Sequence, residues 1–131
     1  MNKKLIKTSQ EELEALIASG VKDLSYRDLH LLDFGEADLR ETNLTGSNLE
    51  VARLFKVNLR GANLTGADLE GANLCDADLT EANLTGADLW KANFEGALNL
   101  GKAINLDKAR NLDNALNLDK EVNPDKEVKP L

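Results

Sequence analysis

From Leu24 to Phe94 an apolar residue recurs at every fifth position without a gap. Fifteen consecutive positions obey the rule, thirteen with Leu and two with Phe (Phe34 and Phe94). Two residues before each lies a second patterned position, which is Ala nine times and Thr42, Ser47 or Val57 in other copies. The residue between the two is Asp or Asn in fourteen of fifteen copies, with Arg53 the exception. A period of five matches neither the 3.6 of a helix nor the 2 of a strand. It suits extended chain only if that chain bends once every five residues. The Ala and Leu positions, two apart, then share one face and the Asp or Asn between them takes the other. Bending at equal intervals winds a coil with its Leu residues inside. The outer positions, rich in Asp, Asn, Thr, Ser and Gly, suit tight turns.

A longer recurrence sets the size of the coil. Asn-Leu-Thr-Gly occurs at 43–46, 63–66 and 83–86, each copy 20 residues after the last. Four five-residue units therefore make one turn, and residues 20 apart become vertical neighbours. Repeats of this length bury a continuous core only by stacking. The consensus Ala-(Asp/Asn)-Leu-x-x, unbroken over residues 22–96, resembles the pentapeptide-repeat family. That resemblance implies an all-β solenoid, a right-handed quadrilateral β-helix, with the Leu/Phe and Ala positions filling its interior. Fifteen units make about four coils, a column about 18 Å tall at the usual strand spacing.

Three segments follow. Residues 1–21 form an N-terminal tail and a capping helix. Ser9 with Glu12 three residues on is a capping box, Leu13, Leu16 and Ile17 give an apolar face, and Gly20 is the stop. The helix is expected over about residues 10–19, covering the first coil, because an open solenoid end exposes core and backbone. Lys22, Arg27 and Leu32 stand where Ala is expected and mark that junction. Residues 22–96 are the β-helix. Residues 97–131 change to a six-residue period ("ALNLGK", "AINLDK", "ARNLDN", "ALNLDK") and are expected to form an irregular C-terminal cap and tail.

The chain carries a net charge of −7, all of it in the repeats, where 7 basic face 14 acidic residues. This disfavours nucleic acid and anionic membrane as direct partners, since both select Lys and Arg. One cysteine, Cys75, allows neither an internal disulfide nor a two-cysteine metal site. The N-terminus lacks a run of signal-peptide length, so a cytoplasmic location is expected. His30, Cys75, Ser25 and Ser47 fall into no nucleophile–base pattern and the glycines sit at turns. No catalysis and no cofactor are expected.

Two surface features stand out. Asp28, Glu50, Asp68, Glu70 and Asp88 gather on one side as a candidate acidic face, able in principle to hold a hard cation or only to solvate that side. Leu31, Val51, Phe55 and Trp90 are outward apolar positions that the repeat does not require, a candidate interaction patch. The leading expectation is a protein-interaction scaffold acting through an unknown protein partner, with a homodimer through an end coil or the C-terminal tail as one form of contact. The alternative comes from the resemblance, which extends to gyrase-inhibiting members thought to imitate DNA. Against it, about 18 Å of column imitates only about five base pairs. Inward and outward positions have a direct test: Leu64→Asp should unfold the column, whereas Thr65→Asp should change stability by no more than about 0.5 kcal/mol in thermal melts.

Overall fold

The computed structural model describes residues 4–118. Within them the chain climbs in coils of 20 residues, joined by parallel bridges. The first side runs Asp23–Asn43–Asn63–Asn83 and the second Asp28–Asn48–Asp68–Asp88. The third is Asp33–Arg53–Asn73–Asn93 and the fourth Asp38–Asn58–Asp78. The straight segments are only a residue or two long, so the column is a stack of single bridges rather than of long strands.

A regular unit places all five of its backbone N–H groups. In the unit 64–68, the Leu64 N–H donates up to the Asn83 carbonyl (2.8 Å) and the Gly66 N–H up to Thr85 (2.8 Å). The Asp68 N–H donates down to Ser47 (3.0 Å), and the Ala67 N–H closes a turn onto the Leu64 carbonyl (3.0 Å). The fifth, on Thr65, donates to the Asn63 side-chain carbonyl (3.0 Å). That last bond explains the Asp/Asn rule. An Asx side chain folds back onto the N–H two residues ahead and fixes the bend.

The interior is the Leu and Ala lattice. Leu24, Leu29, Leu44, Leu49, Leu54 and the Leu residues above them are fully buried, as are Ala52 and each Ala from Ala62 to Ala92. Thr42 and Ser47, which replace Ala, are buried too, and Ser47 donates its hydroxyl to the Leu44 carbonyl (2.8 Å). Phe34 and Phe94 occupy the same side near opposite ends, both buried. Full burial of a Leu is worth roughly 1.5–3 kcal/mol, so this lattice dominates stability.

At the lower end a helix, α1 (Gln10–Ala18), starts with Ser9 accepting from the Glu12 N–H (3.1 Å). It buries Leu13 completely and packs Leu16 and Ile17 against the core. Two further devices close this end. A short strand, β1 (Ile6–Lys7), pairs in parallel with β2 (Arg27–Asp28), adding a lower rung to the second side. On the third side the Gln10 amide takes the place of a strand, donating to the Asp33 carbonyl (2.6 Å) and accepting its N–H (2.9 Å).

The six-residue units differ from the irregular cap expected of them. Residues 97–118 build a further regular coil, bridged as Asp78↔Leu98, Asn83↔Ile104, Asp88↔Arg110 and Asn93↔Leu116. The extra residue of each unit is an Asn in the left-handed region: Asn99, Asn105, Asn111 and Asn117, at φ 56–60°. It reverses the inward/outward phase, so the next Leu turns in. Leu100 and Leu118 are buried, while the residue before each Asn, such as Leu98 or Ile104, points out. The Asn side chains also tie the coil down. Asn99 donates to Thr80 Oγ1 (2.8 Å), Asn105 to Thr85 Oγ1 (2.9 Å), Asn111 to Asp88 (2.8 Å) and Asn117 to Asn93 (2.8 Å). Among the rest of the tail, residues 119–131 lie outside the described residues. Asn105→Ala loses both the vertical bond and a side chain that tolerates positive φ, and should cost about 1–3 kcal/mol. Asn105→Gly loses only the bond and should cost less; equal losses in chemical denaturation would refute the conformational role.

Candidate functional site

The corner between the second and third sides, with the two faces it joins, carries most of the sequence-predicted candidates. Position by position the corner reads Leu31, Val51, Gly71 and Lys91 on successive rungs. Its residues close type II-like turns and take positive φ: 64°, 56°, 67° and 56°. Only Gly adopts this region without strain. Val51 is the one β-branched residue in it among the described residues, and β-branching is the least compatible side chain there. Leu31 and Val51 are both exposed, at 63% and 47%. A Cβ added to Gly71 would touch Val51 Cγ2 at 3.4 Å, so Val51 leans upward over that glycine.

The remaining two apolar candidates lie apart. Phe55 is at the far edge of the third side, exposed, with the Lys56 ammonium 5.3 Å from its ring centre. Trp90 projects from the second side on the rung above Glu70, and Lys91 sits 4.4 Å from its ring centre. Leu31 and Val51 are thus neighbours, Phe55 flanks them across one face, and Trp90 stands higher on the other.

The acidic residues climb the second side. Asp68, Glu70 and Asp88 bring carboxylate oxygens within 4.8 Å of one another, whereas Asp28 and Glu50 stand below them. Much of their bonding capacity serves the fold. Asp68 accepts the Glu70 N–H (3.0 Å), and Asp88 accepts the Trp90 N–H (3.1 Å) and the Asn111 amide. Burial and the neighbouring Glu50, Asp68 and Asp88 push the Glu70 carboxyl up. Asp28 pairs with His30 Nδ1 at 2.6 Å. Burial raises the Asp28 carboxyl, but the His30 hydrogen bonds more than offset this, and the net direction is down. Asp28, His30, Leu31, Asn48, Glu50 and Val51 surround an open hollow of about 320 Å³.

One departure from the Asx rule is legible in position though not in consequence. Arg53 offers no carbonyl to the N–H two residues ahead, so Phe55 is the one residue at its position, from Ser25 to Glu95, whose N–H lacks that bond. Arg53 instead reaches Asp33 Oδ2 at 3.7 Å across the rung below. His30 and Cys75 lie on different sides and different coils, and burial together with Glu95 and Asp76 pushes the Cys75 thiol up, away from nucleophilic character.

The family model for pentapeptide repeats matches eight copies over residues 33–71 and 62–98, half of the chain. The chain belongs to the pentapeptide-repeat family. A pentapeptide repeat protein from Nostoc Pcc 7120 is 32% identical over 90% of this chain and 93% of its own, with a TM-score of 0.58. One from the cyanobacterium Cyanothece 51142 is 36% identical over 67% of this chain and 59% of its own (TM-score 0.64). A third, from the Arabidopsis thaliana thylakoid lumen, is 39% identical over 58% and 57% (TM-score 0.54). The chain spans less than two thirds of the length of the last two. Comparison with curated proteins finds no match. No helix among the described residues is long and apolar enough to cross a membrane.

Two carboxylates should make opposite contributions to acid stability. The Arg40 side chain and backbone N–H hold Asp38 at about 2 against an ordinary 3.8. The stability it supplies is therefore complete above 3.8 and lost as pH falls toward 2. Glu70, raised above its ordinary 4.5, imposes a penalty at neutral pH that is relieved as pH falls through its folded value. Thermal melts at low salt should show Glu70→Gln stabilising at pH 7 but not at pH 4, and Asp38→Asn shallowing the loss below pH 3.8. Both effects should shrink with added salt, since both groups face solvent.

Proposed function

We propose that this chain is a non-catalytic scaffold, a right-handed quadrilateral solenoid that acts by docking a protein partner on the unit 51–55. The observation that carries this is a coincidence of three departures in one unit. Val51 places a β-branched side chain at φ 56°, Arg53 gives up the Asx bond, and Phe55 exposes an aromatic ring. Each is worse for folding than the residue used elsewhere in the column: Gly at the corner, Asn before Leu, Thr after it. A fold that takes Gly at the corner at Gly46 and Gly71 and Asx before Leu at every other rung gains nothing internally from "VARLF". Local rules broken without structural compensation mark functional positions.

Imitation of DNA is the weaker reading. It asks for an uninterrupted acidic surface, and the column's charges are interleaved: Arg40 bonds Asp38 (2.7 Å), Arg53 reaches Asp33 and Lys56 approaches Glu36 (3.9 Å).

Restoring the consensus separates stability from function. The triple variant Val51→Gly, Arg53→Asn, Phe55→Thr relieves backbone strain of about 1–3 kcal/mol and supplies the missing hydrogen bond. Its melting temperature should rise by several degrees while it loses proteins that the wild type captures from its host's extract. Unchanged capture by a stabilised variant would overturn the assignment.

A further inference from the structure

We infer that the partner segment is a basic amphipathic helix, lying along the column at the corner of Leu31 and Val51 with a Lys or Arg side chain seated in the adjoining hollow. This rests on the scaffold reading, because Val51 belongs to both surfaces.

The hollow has the chemistry of a long cationic side chain. Leu31 and Val51 form aliphatic walls, while Glu50 and Asp28, the latter bonded to His30 Nδ1 (2.6 Å), supply carboxylates at its second-side rim. Lys and Arg lay an apolar stem along such walls and keep the charged head among polar groups. A purely apolar side chain would desolvate Glu50 without compensation, and an acidic one would be repelled by both carboxylates.

The surroundings extend the match along the axis. Above Glu50 the second side continues with Asp68, Glu70 and Asp88, three carboxylates within 4.8 Å of one another. Burial and then the neighbouring Glu50, Asp68 and Asp88 push the Glu70 carboxyl up, and an incoming cation would offset that repulsion. On the corner itself, Gly71 carries no side chain and Val51 Cγ2 lies 3.4 Å from where a Cβ would stand, so the Val51 methyl extends the apolar surface onto that rung. An acidic pair (Glu50 and Glu70) and an apolar pair (Leu31 and Val51) form short, overlapping ladders on adjoining lines of the column, each repeating at the strand spacing of about 4.8 Å, and Lys91 ends the corner line above Gly71. Residues i and i+3 or i+4 of a helix lie about 5–6 Å apart, which tracks both ladders over two or three rungs. Such a helix would present Leu-like anchors to Leu31 and Val51, and Lys or Arg to Glu50 and Glu70. Charge complementarity of this kind fixes orientation and register more than raw affinity.

The test uses the full chain and two labelled helix-forming peptides of identical apolar spacing, one of Leu and Lys and one of Leu and Glu, with fluorescence anisotropy as readout. The wild type should bind the Leu/Lys peptide at least about tenfold more tightly than its counterpart, with affinity falling as salt rises. Glu50→Gln with Glu70→Gln should weaken binding about tenfold and flatten the salt dependence. Glu41→Gln with Glu81→Gln, the same charge change at the opposite corner, should leave both unchanged. Val51→Ser should weaken binding while preserving the salt dependence. Equal losses for the two charge pairs would reduce the effect to general attraction by an acidic column and overturn the proposal, as would a silent Val51→Ser. If the host partner is captured through the unit 51–55 but the wild type favours neither peptide, the basic chemistry fails while the scaffold reading stands.

Discussion

A chain that turns every five residues must find an acceptor for every N–H it turns past, and this requirement shapes the column. Buried or half-buried backbone donors left unpaired cost as much as a lost hydrogen bond. Two N–H groups of each unit donate up and one donates down; a fourth closes the turn. Only the residue just after Leu has no backbone carbonyl within reach. The Asx side chain before Leu meets that need, and it does so at fourteen of fifteen positions. The Asp/Asn column, which looks from outside like a surface feature, is thus part of the backbone's own bonding.

The same bonding explains why the corners are strained and why the strain is tolerated. In most units the turn closed from the Leu carbonyl to the N–H three residues on takes positive φ at its third residue, as in a type II turn. The corner N–H also donates to the rung above, as Val51 does to Glu70 at 2.8 Å and Lys91 to Asn114 at 3.0 Å. The backbone is therefore held from two directions whatever side chain is present. Glycine is favoured at such a corner but not required, and this is what frees it to carry Leu31, Val51, Lys56 or Lys91. In this fold variability concentrates where conformation is over-determined by bonding and packing does not reach.

Legibility in the sequence followed the same division. The inward lattice, the 20-residue stacking and the helix α1 were readable because each repeats or uses a known capping signal. Strand β1 was not: two residues in a basic tail, Ile6 and Lys7, carry no periodic signal, and only the open edge of Arg27–Asp28 gives them a role. The six-residue units were visible as a period but not as a coil. Adding one residue to alternating chain normally flips every side chain. It takes a left-handed Asn in each unit to flip the phase back, and φ is not written in composition. The surface candidates were named correctly as outward positions, yet Phe55 and Trp90 proved to stand apart from Leu31 and Val51. A vertical lattice orders residues along a side but does not say which corners adjoin a hollow.

What remains free in such a molecule is narrow. Leu and Ala positions answer to the interior, Asx positions to the turn, and Asn in the upper coil to the rung below. Selection for anything beyond folding acts most freely on the residue after Leu and the corner residue, two positions in five, and reaches an Asx position only by giving up its bond, as at Arg53. Across the column these hold mostly Thr, Glu and Gly, which suit solvent and the turn. Where they hold Leu31 and Val51 beside Glu50 and Glu70, apolar and acidic side chains share one edge of a rigid post. A rigid edge loses little conformational entropy on binding, which favours a partner that brings its own regular spacing. A partner docked on that edge would be selected less by any one residue than by the rise of the column.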